Sequence, residues 1–192
     1  MNKWKVAFLL LAGAVLITFA TLLYLITADV KQATEQPPLP IEGNILTVET
    51  TAKEFEAIAK QYLSEAMNQS PVPVELTVDD KIYLYSTLTV FNIDLPIQMD
   101  FIPVVSNGNI TLNQEAVHVG KVNIPPKTVL KMIDDAVNFP NWITVKPNDE
   151  EIYVDLSRIN IASGSRVRAK EIDLPNDKIE LEVVIPNQTK VK

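Results

Sequence analysis

The chain opens with an apolar segment long enough to cross a lipid bilayer. From Val6 to Ala28 run 23 consecutive residues without a charge, mostly Leu, Ala, Val, Ile and Phe. At the α-helical rise of 1.5 Å per residue this segment measures about 34 Å, against about 30 Å for a hydrocarbon core. Lys3 and Lys5 precede it, and basic residues favour the cytoplasmic side. Residues 1–28 therefore predict a cytoplasmic tip and a single-pass anchor in the cell membrane, with the remainder of the chain extracellular.

A cleavable signal peptide is the alternative reading of the same segment. Signal peptides carry a shorter apolar region, of roughly 7–15 residues, followed by a small-x-small cleavage site. The uncharged run is longer here, and the sequence from Leu25 to Asp29 offers only a poor site. We therefore expect an uncleaved anchor.

A polar, proline-containing stretch follows the anchor. Residues 29–45 include Pro37, Pro38 and Pro40, which restrict the backbone to extended conformations. The pattern predicts an extended stalk over 29–45 and an extracellular domain over 46–192.

A helical period begins at Thr51. Thr51 and Glu54 have the spacing of a capping box, in which each side chain accepts a hydrogen bond from a free amide of the first turn. Apolar residues then recur three and four positions apart, on one face of a helix. They are Phe55, Ile58, Ala59, Tyr62, Leu63 and Ala66. The helix is predicted to end before Ser70-Pro71.

After Pro73 the period changes from 3.6 to two, which predicts antiparallel strands with one apolar and one wet face. The alternating apolar positions are Val74, Leu76, Val78, Ile82, Leu84, Leu88, Val90, Ile93, Leu95, Ile97, Met99 and Phe101. The parity shift between Val90 and Ile93 predicts a bulge or bend that redirects the strand. Pro96 favours a sheet edge or a bulge, because it cannot donate a ladder hydrogen bond.

The second half repeats the order of helix and strands. Asn107-Gly108 predicts a type I′ hairpin turn, and a helix is expected from Pro126 to about Val137. Three more strands are expected around residues 152–156, 167–172 and 179–185. The fold class is therefore α+β: an N-terminal transmembrane helix followed by an antiparallel, curved sheet packed on two helices.

Composition narrows the chemistry. The chain has no cysteine, which excludes disulfides and thiolate metal sites, and its one histidine is His118. Residues 29–192 hold all 24 acidic residues and 15 of the 17 basic ones, a net charge of −9, so we expect no nucleic-acid partner. The acidic clusters at 79–80, 134–135 and 149–151 match no calcium loop. Residues 162–165 (Ala-Ser-Gly-Ser) lack the frame of a nucleophilic elbow. We expect no enzyme, no cofactor and no metal.

Residues 95–133, LPIQMDFIPVVSNGNITLNQEAVHVGKVNIPPKTVLKMI, together with the lysine-flanked anchor, resemble the YpmS-like family. These are small membrane-anchored proteins of Gram-positive bacteria without an established activity. The resemblance implies a cell-surface protein of a monoderm bacterium. By a looser analogy it also implies a tubular lipid-binding architecture, in which a helix lies in a curved sheet and encloses an acyl chain.

Three functional classes follow, of which a hydrolase is the weakest, because it would need His118 to act with a serine that no motif identifies. The first is a membrane-anchored extracellular binding module for a lipid or another lipophile of the cell envelope. The apolar helix face and sheet face would then be the binding residues: Phe55, Ile58, Tyr62, Leu63, Ile82, Leu84, Leu88, Val90, Leu95, Ile97, Met99 and Phe101. The same alternation also describes a filled core, and the sequence leaves both open. The alternative class is a scaffold that contacts a protein partner in envelope machinery, using either the aromatic residues Tyr83, Tyr85 and Phe91 or a sheet edge.

Overall fold

A computed structural model of the chain describes residues 3–27, 43–68, 72–90, 93–120, 124–159, 161 and 164–186. The chain divides into two compact units, residues 1–31 and 32–192. The predicted stalk falls mostly outside the described residues. Its last two residues, 44 and 45, belong to a strand.

The first unit is a single helix, α1 (Lys3–Thr27). Its interior hydroxyls bond back to the helix, since Thr18 Oγ1 donates to the Ala14 carbonyl at 2.9 Å and Thr21 Oγ1 to the Ile17 carbonyl at 2.6 Å. Such internal bonds satisfy polar groups where no water is present. The helix is long and apolar enough to cross a membrane, which identifies it as a candidate membrane anchor.

The second unit combines two helices with antiparallel strands. The helices are α2 (Ala52–Ala66) and α3 (Pro126–Ala136). The strands within the described residues are β1 (Asn44–Thr50), β2 (Val74–Val78), β3 (Ile82–Val90), β4 (Ile93–Ser106), β5 (Asn109–Val119), β6 (Ile143–Lys146), β7 (Glu151–Val154), β8 (Arg166–Asp173) and β9 (Lys178–Ile185). Short 3₁₀ turns cover Leu156–Arg158 and Leu174–Asn176. The predicted α+β class is confirmed.

The strands form two sheets rather than one. A six-stranded sheet has the order β2-β3-β4-β5-β7-β6, and a three-stranded sheet has the order β1-β9-β8. A backbone hydrogen bond links the sheets, because Ala169 on β8 donates to the carbonyl of Gly108 at 2.8 Å. Gly108 lies in the turn between β4 and β5, so this hairpin reaches across to the second sheet. The predicted curvature stays a prediction.

The turn at Asn107-Gly108 is confirmed as a tight hairpin. Ser106 pairs with Asn109, and the two turn residues have φ values of 52° and 80°. Both angles fit a type I′ turn, which needs positive φ at its two central positions.

The redirection predicted between Val90 and Ile93 is a reversal of the chain and not a bulge. These two residues are cross-strand partners, so the chain reverses direction between them and β3 pairs with β4 along its whole length. A parity shift accompanies a reversal as readily as a bulge, and the alternation alone could not separate them. A register shift does occur farther along, between Asp100 and Phe101 against β5.

Pro96 lies at a local edge, as predicted. It pairs with Thr87 on β3, whereas pairing with β5 begins only at Ile97. Its carbonyl accepts a hydrogen bond from Gly120, just beyond the end of β5. The missing amide hydrogen therefore costs the sheet no ladder bond.

Three further elements differ from the sequence prediction: the end of β7 and the strands β1 and β6. Leu156, expected in a strand, lies in a 3₁₀ turn that Asp155 caps by accepting from the Ser157 amide. Strands β1 and β6 were not predicted; each is a short run whose alternation is weak by itself. Helix α3 matches its prediction and buries Val129, Leu130 and Ile133 in the core.

Candidate functional site

An apolar cavity of about 350 Å³ lies within the second unit, partly open to solvent. Its lining comes from α2, from both sheets and from the segment after α3. Tyr62 and Trp142 are the lining residues whose side chains carry a polar atom, and the described lining includes no charged side chain. The site can therefore offer dispersion and exclusion from water, with very few hydrogen bonds.

Helix α2 forms one wall. Phe55, Ile58, Ala59, Tyr62 and Leu63 all line the cavity, and they are the predicted apolar face of the helix without Ala66. The helix packs on β2, yet Ala52 is its only fully buried residue, and Ile58 is 53% exposed. Phe55, Ala59 and Leu63 are partly buried and pack against the core, so the apolar face of the helix is in part core and in part cavity wall.

The other walls come from the sheets and the connections between them. Six-stranded-sheet residues on the lining are Val74, Leu76, Ile82, Leu84, Ile110, Leu112, Ile143, Ile152 and Val154. Three-stranded-sheet residues are Val48, Val167, Leu181 and Val183. Phe139, Trp142, Leu156, Ile159 and Ile161 complete the lining.

Polar contacts fix the first turns of α2. The Thr51 hydroxyl accepts from the Glu54 amide at 3.3 Å, which is the first half of the predicted capping box. The Glu54 carboxylate accepts from the Thr50 hydroxyl at 3.0 Å. The amide of Ala52 donates to Asp177 Oδ1 at 2.7 Å, so a turn of the three-stranded sheet supplies a second cap.

Glu56 ties α2 to the six-stranded sheet. Its Oε2 accepts from the Val78 amide at 2.7 Å, and its Oε1 lies 2.6 Å from Lys60 Nζ. The hydrogen bond from Lys60 lowers the pKa of the Glu56 carboxyl below its ordinary value of 4.5, and the bond from the Val78 amide lowers it further by a smaller amount. Together with the Asp177 contact, Glu56 holds the helix wall against both sheets.

The structure brings together six of the twelve residues predicted to bind lipid. Phe55, Ile58, Tyr62, Leu63, Ile82 and Leu84 line the cavity. Ile97, Met99 and Phe101 are buried in the core instead, at 3%, 2% and 0% exposure, and Leu95 packs against that core. The side chains of Leu88 and Val90 lie outside the described residues.

Cross-strand pairing places both sets of residues on one face of the sheet. Ile82 pairs with Phe101 and Leu84 with Met99, so the four side chains share that face. All four are buried in the core, but only Ile82 and Leu84 also line the cavity. The face is filled core at β4, and ligand binding at the cavity stays a prediction.

Sequence reasoning missed the wall formed by the second sheet. Leu181 and Val183 lie in the strand predicted around residues 179–185, and their alternation was the available signal. Nothing in that alternation indicated a separate sheet whose face would lie across the cavity from the six-stranded one.

The remaining candidate residues lie elsewhere. His118 on β5 is 59% exposed and lies 3.7 Å from Asp100 Oδ2. Tyr83 donates to Asp80 at 2.6 Å, and this bond raises the pKa of Tyr83 to about 12. Tyr85 is 38% exposed, and Phe91 lies outside the described residues. Within the described part of the chain, no group of three or more His, Asp or Glu side chains could hold a metal ion.

These features define a class of small protein in which an α+β domain with an apolar cavity follows a candidate membrane-spanning helix. The chain belongs to the family described as an uncharacterized protein conserved in bacteria (DUF2140), which matches residues 2–185. It is 30% identical over 190 residues to the "Uncharacterized protein YpmS" of Bacillus subtilis (strain 168), covering 98% of this chain and 100% of that relative. The resemblance to the YpmS-like family is confirmed. A comparison with solved structures gave no match.

Proposed function

We propose that this protein is a membrane-anchored extracellular module that binds a lipid or another lipophile of the Gram-positive cell envelope. The observation that carries the proposal is the cavity of about 350 Å³ between α2 and the two sheets, lined by apolar side chains. Its volume falls in the range of about 300–1,000 Å³ that is typical of small-molecule sites.

The energetics of an empty cavity support an occupant. The cavity is partly open, so solvent reaches an apolar lining that offers water few hydrogen-bond partners. Removing apolar surface from water is favourable by about 25 cal/mol per Å². A hydrocarbon chain that covers this lining therefore gains free energy without needing polar contacts.

The chemistry of the lining favours an uncharged tail over a polar ligand. Each buried methylene contributes about 0.8 kcal/mol, so roughly ten methylenes supply about 8 kcal/mol before ordering costs. Useful affinity then needs no ion pair. The net charge of −9 outside the anchor, with no basic cluster on the lining, also argues against a nucleic-acid partner.

The proposed location follows from the amino-terminal segment. Lys3 and Lys5 precede α1, and the positive-inside bias then orients the amino terminus to the cytoplasm. A binding domain tethered on the outer side remains beside its source of lipid. No catalytic step is proposed, since no nucleophile or general base lines the described cavity.

The test is photo-crosslinking in proteoliposomes that contain the full chain and a phospholipid with a diazirine in its acyl tail. We expect crosslinks on peptides of α2 and β9, in addition to those on the membrane-spanning helix. Ala59→Trp fills the cavity from the helix side and should abolish the β9 crosslinks. Ala57→Trp places the same side chain on the exposed side of α2 and should leave them unchanged.

Crosslinks confined to α1, or equal β9 yields in both variants, would refute lipid binding. Val183→Phe fills the cavity from the opposite wall and guards against a folding defect specific to Ala59→Trp. If Ala59→Trp and Val183→Phe both retain a cooperative unfolding transition, the loss of β9 crosslinks is due to the filled cavity and not to unfolding.

One observation favours the alternative role as a scaffold. β1 is an edge of the three-stranded sheet, and its Ile45 and Leu46 are 58% and 56% exposed. An exposed apolar edge strand can add a strand from a partner. Three results together would favour this role. An envelope protein would co-purify with the full chain, Ile45→Lys would abolish that co-purification, and no lipid would be retained.

A further inference from the structure

Three exposed apolar side chains stand at the boundary of the cavity. Val48 on β1 and Ile58 on α2 both line it, yet they are 38% and 53% exposed. Leu46, 56% exposed, lies two residues before Val48 on the same side of β1 and pairs with the lining residue Val183. We call Leu46, Val48 and Ile58 the rim.

The rim lies on α2 and on an edge strand. The helix is fixed to β2 through Glu56 and to the turn before β9 through Asp177, and β1 is an edge of the three-stranded sheet. Val48 and Ile58 are the exposed residues of the lining, so they mark the open side of the cavity. Exposed apolar area that is continuous with an apolar interior is characteristic of an interaction surface.

Two features of the chain favour a lipid bilayer as the surface that the rim contacts: the short segment after α1 and the apolar character of α1. Residues 28–42 separate α1 from Gly43, and a fully extended segment of this length spans at most about 55 Å. Strand β1, which carries Leu46 and Val48, begins at Asn44, just after Gly43. An acyl-chain ligand is concentrated in the same bilayer that α1 is suited to cross.

Charge argues for insertion rather than electrostatic attraction. The part of the chain after the anchor carries a net charge of −9, so an anionic membrane surface repels it. The rim residues are neutral and apolar, and their transfer into hydrocarbon is favourable by about 25 cal/mol per Å². Contact with lipid should then be independent of basic residues.

We propose that the rim inserts into the outer surface of the lipid bilayer and that a single acyl tail passes between bilayer and cavity there, its headgroup remaining outside. This inference rests on the proposed lipid-binding function. It adds the route of the ligand and the membrane-facing surface of the domain. The absence of charged side chains from the described lining explains why the headgroup stays out.

The chain has no native cysteine, so single labels can be placed without background. Leu46→Cys, Val48→Cys and Ile58→Cys, each carrying an environment-sensitive fluorophore, are reconstituted as full chains in phosphatidylcholine vesicles. Ile102→Cys is the matched control, because it is a 44% exposed apolar residue on β4 that does not line the cavity. Lipids with nitroxide groups at shallow depth serve as quenchers.

We expect blue-shifted, nitroxide-quenched emission at the three rim positions and water-exposed, unquenched emission at position 102. Replacing half of the neutral lipid with phosphatidylglycerol should weaken the rim signals without abolishing them. Rim fluorophores that remain in water, or quenching that is equal at position 102, would overturn the proposal. So would rim signals that are blue-shifted but unquenched and that depend on protein concentration, because these would indicate a second copy on the rim.

The two proposals fail in different ways. Crosslinks in the cavity without rim insertion would retain lipid binding and reject this route of entry. Rim insertion without cavity crosslinks would retain a membrane-contacting surface and reject the binding function on which the route depends.

Discussion

The carboxylate of Glu56 on α2 accepts a hydrogen bond from the backbone amide of Val78 at the end of β2, with 2.7 Å between donor and acceptor. β2 is an edge strand, so this amide points away from the six-stranded sheet and would otherwise need water. The bond therefore satisfies one free amide of the sheet edge and fixes the distance between α2, which forms a cavity wall, and β2.

This relationship predicts a pH-dependent contribution to stability. Because Lys60 and the Val78 amide lower the pKa of Glu56 in the folded state, the stabilisation is complete above the ordinary value of 4.5. It is lost as the pH falls through the lower folded-state pKa. Glu56→Ala should lower the free energy of unfolding by about 1.5–3 kcal/mol at pH 7. Urea unfolding of the full chain in nanodiscs, followed by Trp142 fluorescence, measures it.

Two controls separate the contributions to this effect. Glu56→Gln keeps an acceptor for Val78 without the charge, so its deficit should shrink at acidic pH as the wild-type carboxylate becomes protonated. Lys60→Ala removes only an exposed i,i+4 ion pair and should cost about 0.5 kcal/mol or less. A Glu56→Gln deficit that is constant from neutral to acidic pH would contradict the assignment.

Gln114 on β5 is predicted to destabilise the domain. It pairs with the fully buried Phe101, and its side-chain Nε2 and Oε1 are buried without a hydrogen-bond partner among the described residues. A buried unsatisfied amide costs about 1–3 kcal/mol, and Met has nearly the same shape without the polar atoms. Gln114→Met should therefore raise the free energy of unfolding by about 1 kcal/mol.

Asn113→Met provides the matched control for that variant. Asn113 is exposed on the opposite face of β5, where an apolar replacement should change stability by no more than about 0.5 kcal/mol. A loss of stability in Gln114→Met would indicate that the amide is satisfied by ordered water, and the prediction would then be wrong.

Position 108, in the hairpin turn between β4 and β5, should be intolerant of a side chain. Gly108 has a φ of +80°, and an added Cβ would lie 2.8 Å from the Nε atom of Arg168. Gly108→Ala therefore combines backbone strain with a contact that must give way, and we expect a cost of about 1–3 kcal/mol. Gly120→Ala is the control, because φ is also positive at +53° but nothing lies within 4 Å. A Gly120→Ala cost as large as that of Gly108→Ala would assign the whole effect to strain.

Local signals predicted most of the elements. The spacing behind Thr51 located α2, Asn107-Gly108 located a hairpin, and Pro126 located the start of α3. Each of these depends on residues a few positions apart, where backbone geometry and capping act directly. The division of the strands into two sheets depends on the pairing of β1 with β9, residues more than a hundred positions apart, and no local pattern encodes it.

The candidate site was half predictable for the same reason. An apolar stripe on α2 and an apolar face on β3 are visible as periods of 3.6 and two. Whether side chains on such faces meet or leave a gap depends on the separation of the elements, which Glu56 and Asp177 set through single long-range contacts. Met99 and Leu84 are indistinguishable by pattern, yet only Leu84 lines the cavity.

The last prediction concerns topology, on which the proposed function depends. Asp79 lies exposed in the turn between β2 and β3, and Asn2 precedes Lys3. In wall-stripped cells, Asp79→Cys should react with a membrane-impermeant maleimide, whereas Asn2→Cys should react only after permeabilisation, because the positive-inside bias keeps Lys3 and Lys5 in the cytoplasm. Replacing both lysines with glutamate weakens that bias and should increase labelling at position 2 in intact cells. Labelling of position 2 but not position 79 in intact cells would place the domain inside, and an extracellular lipid-binding role would then be untenable.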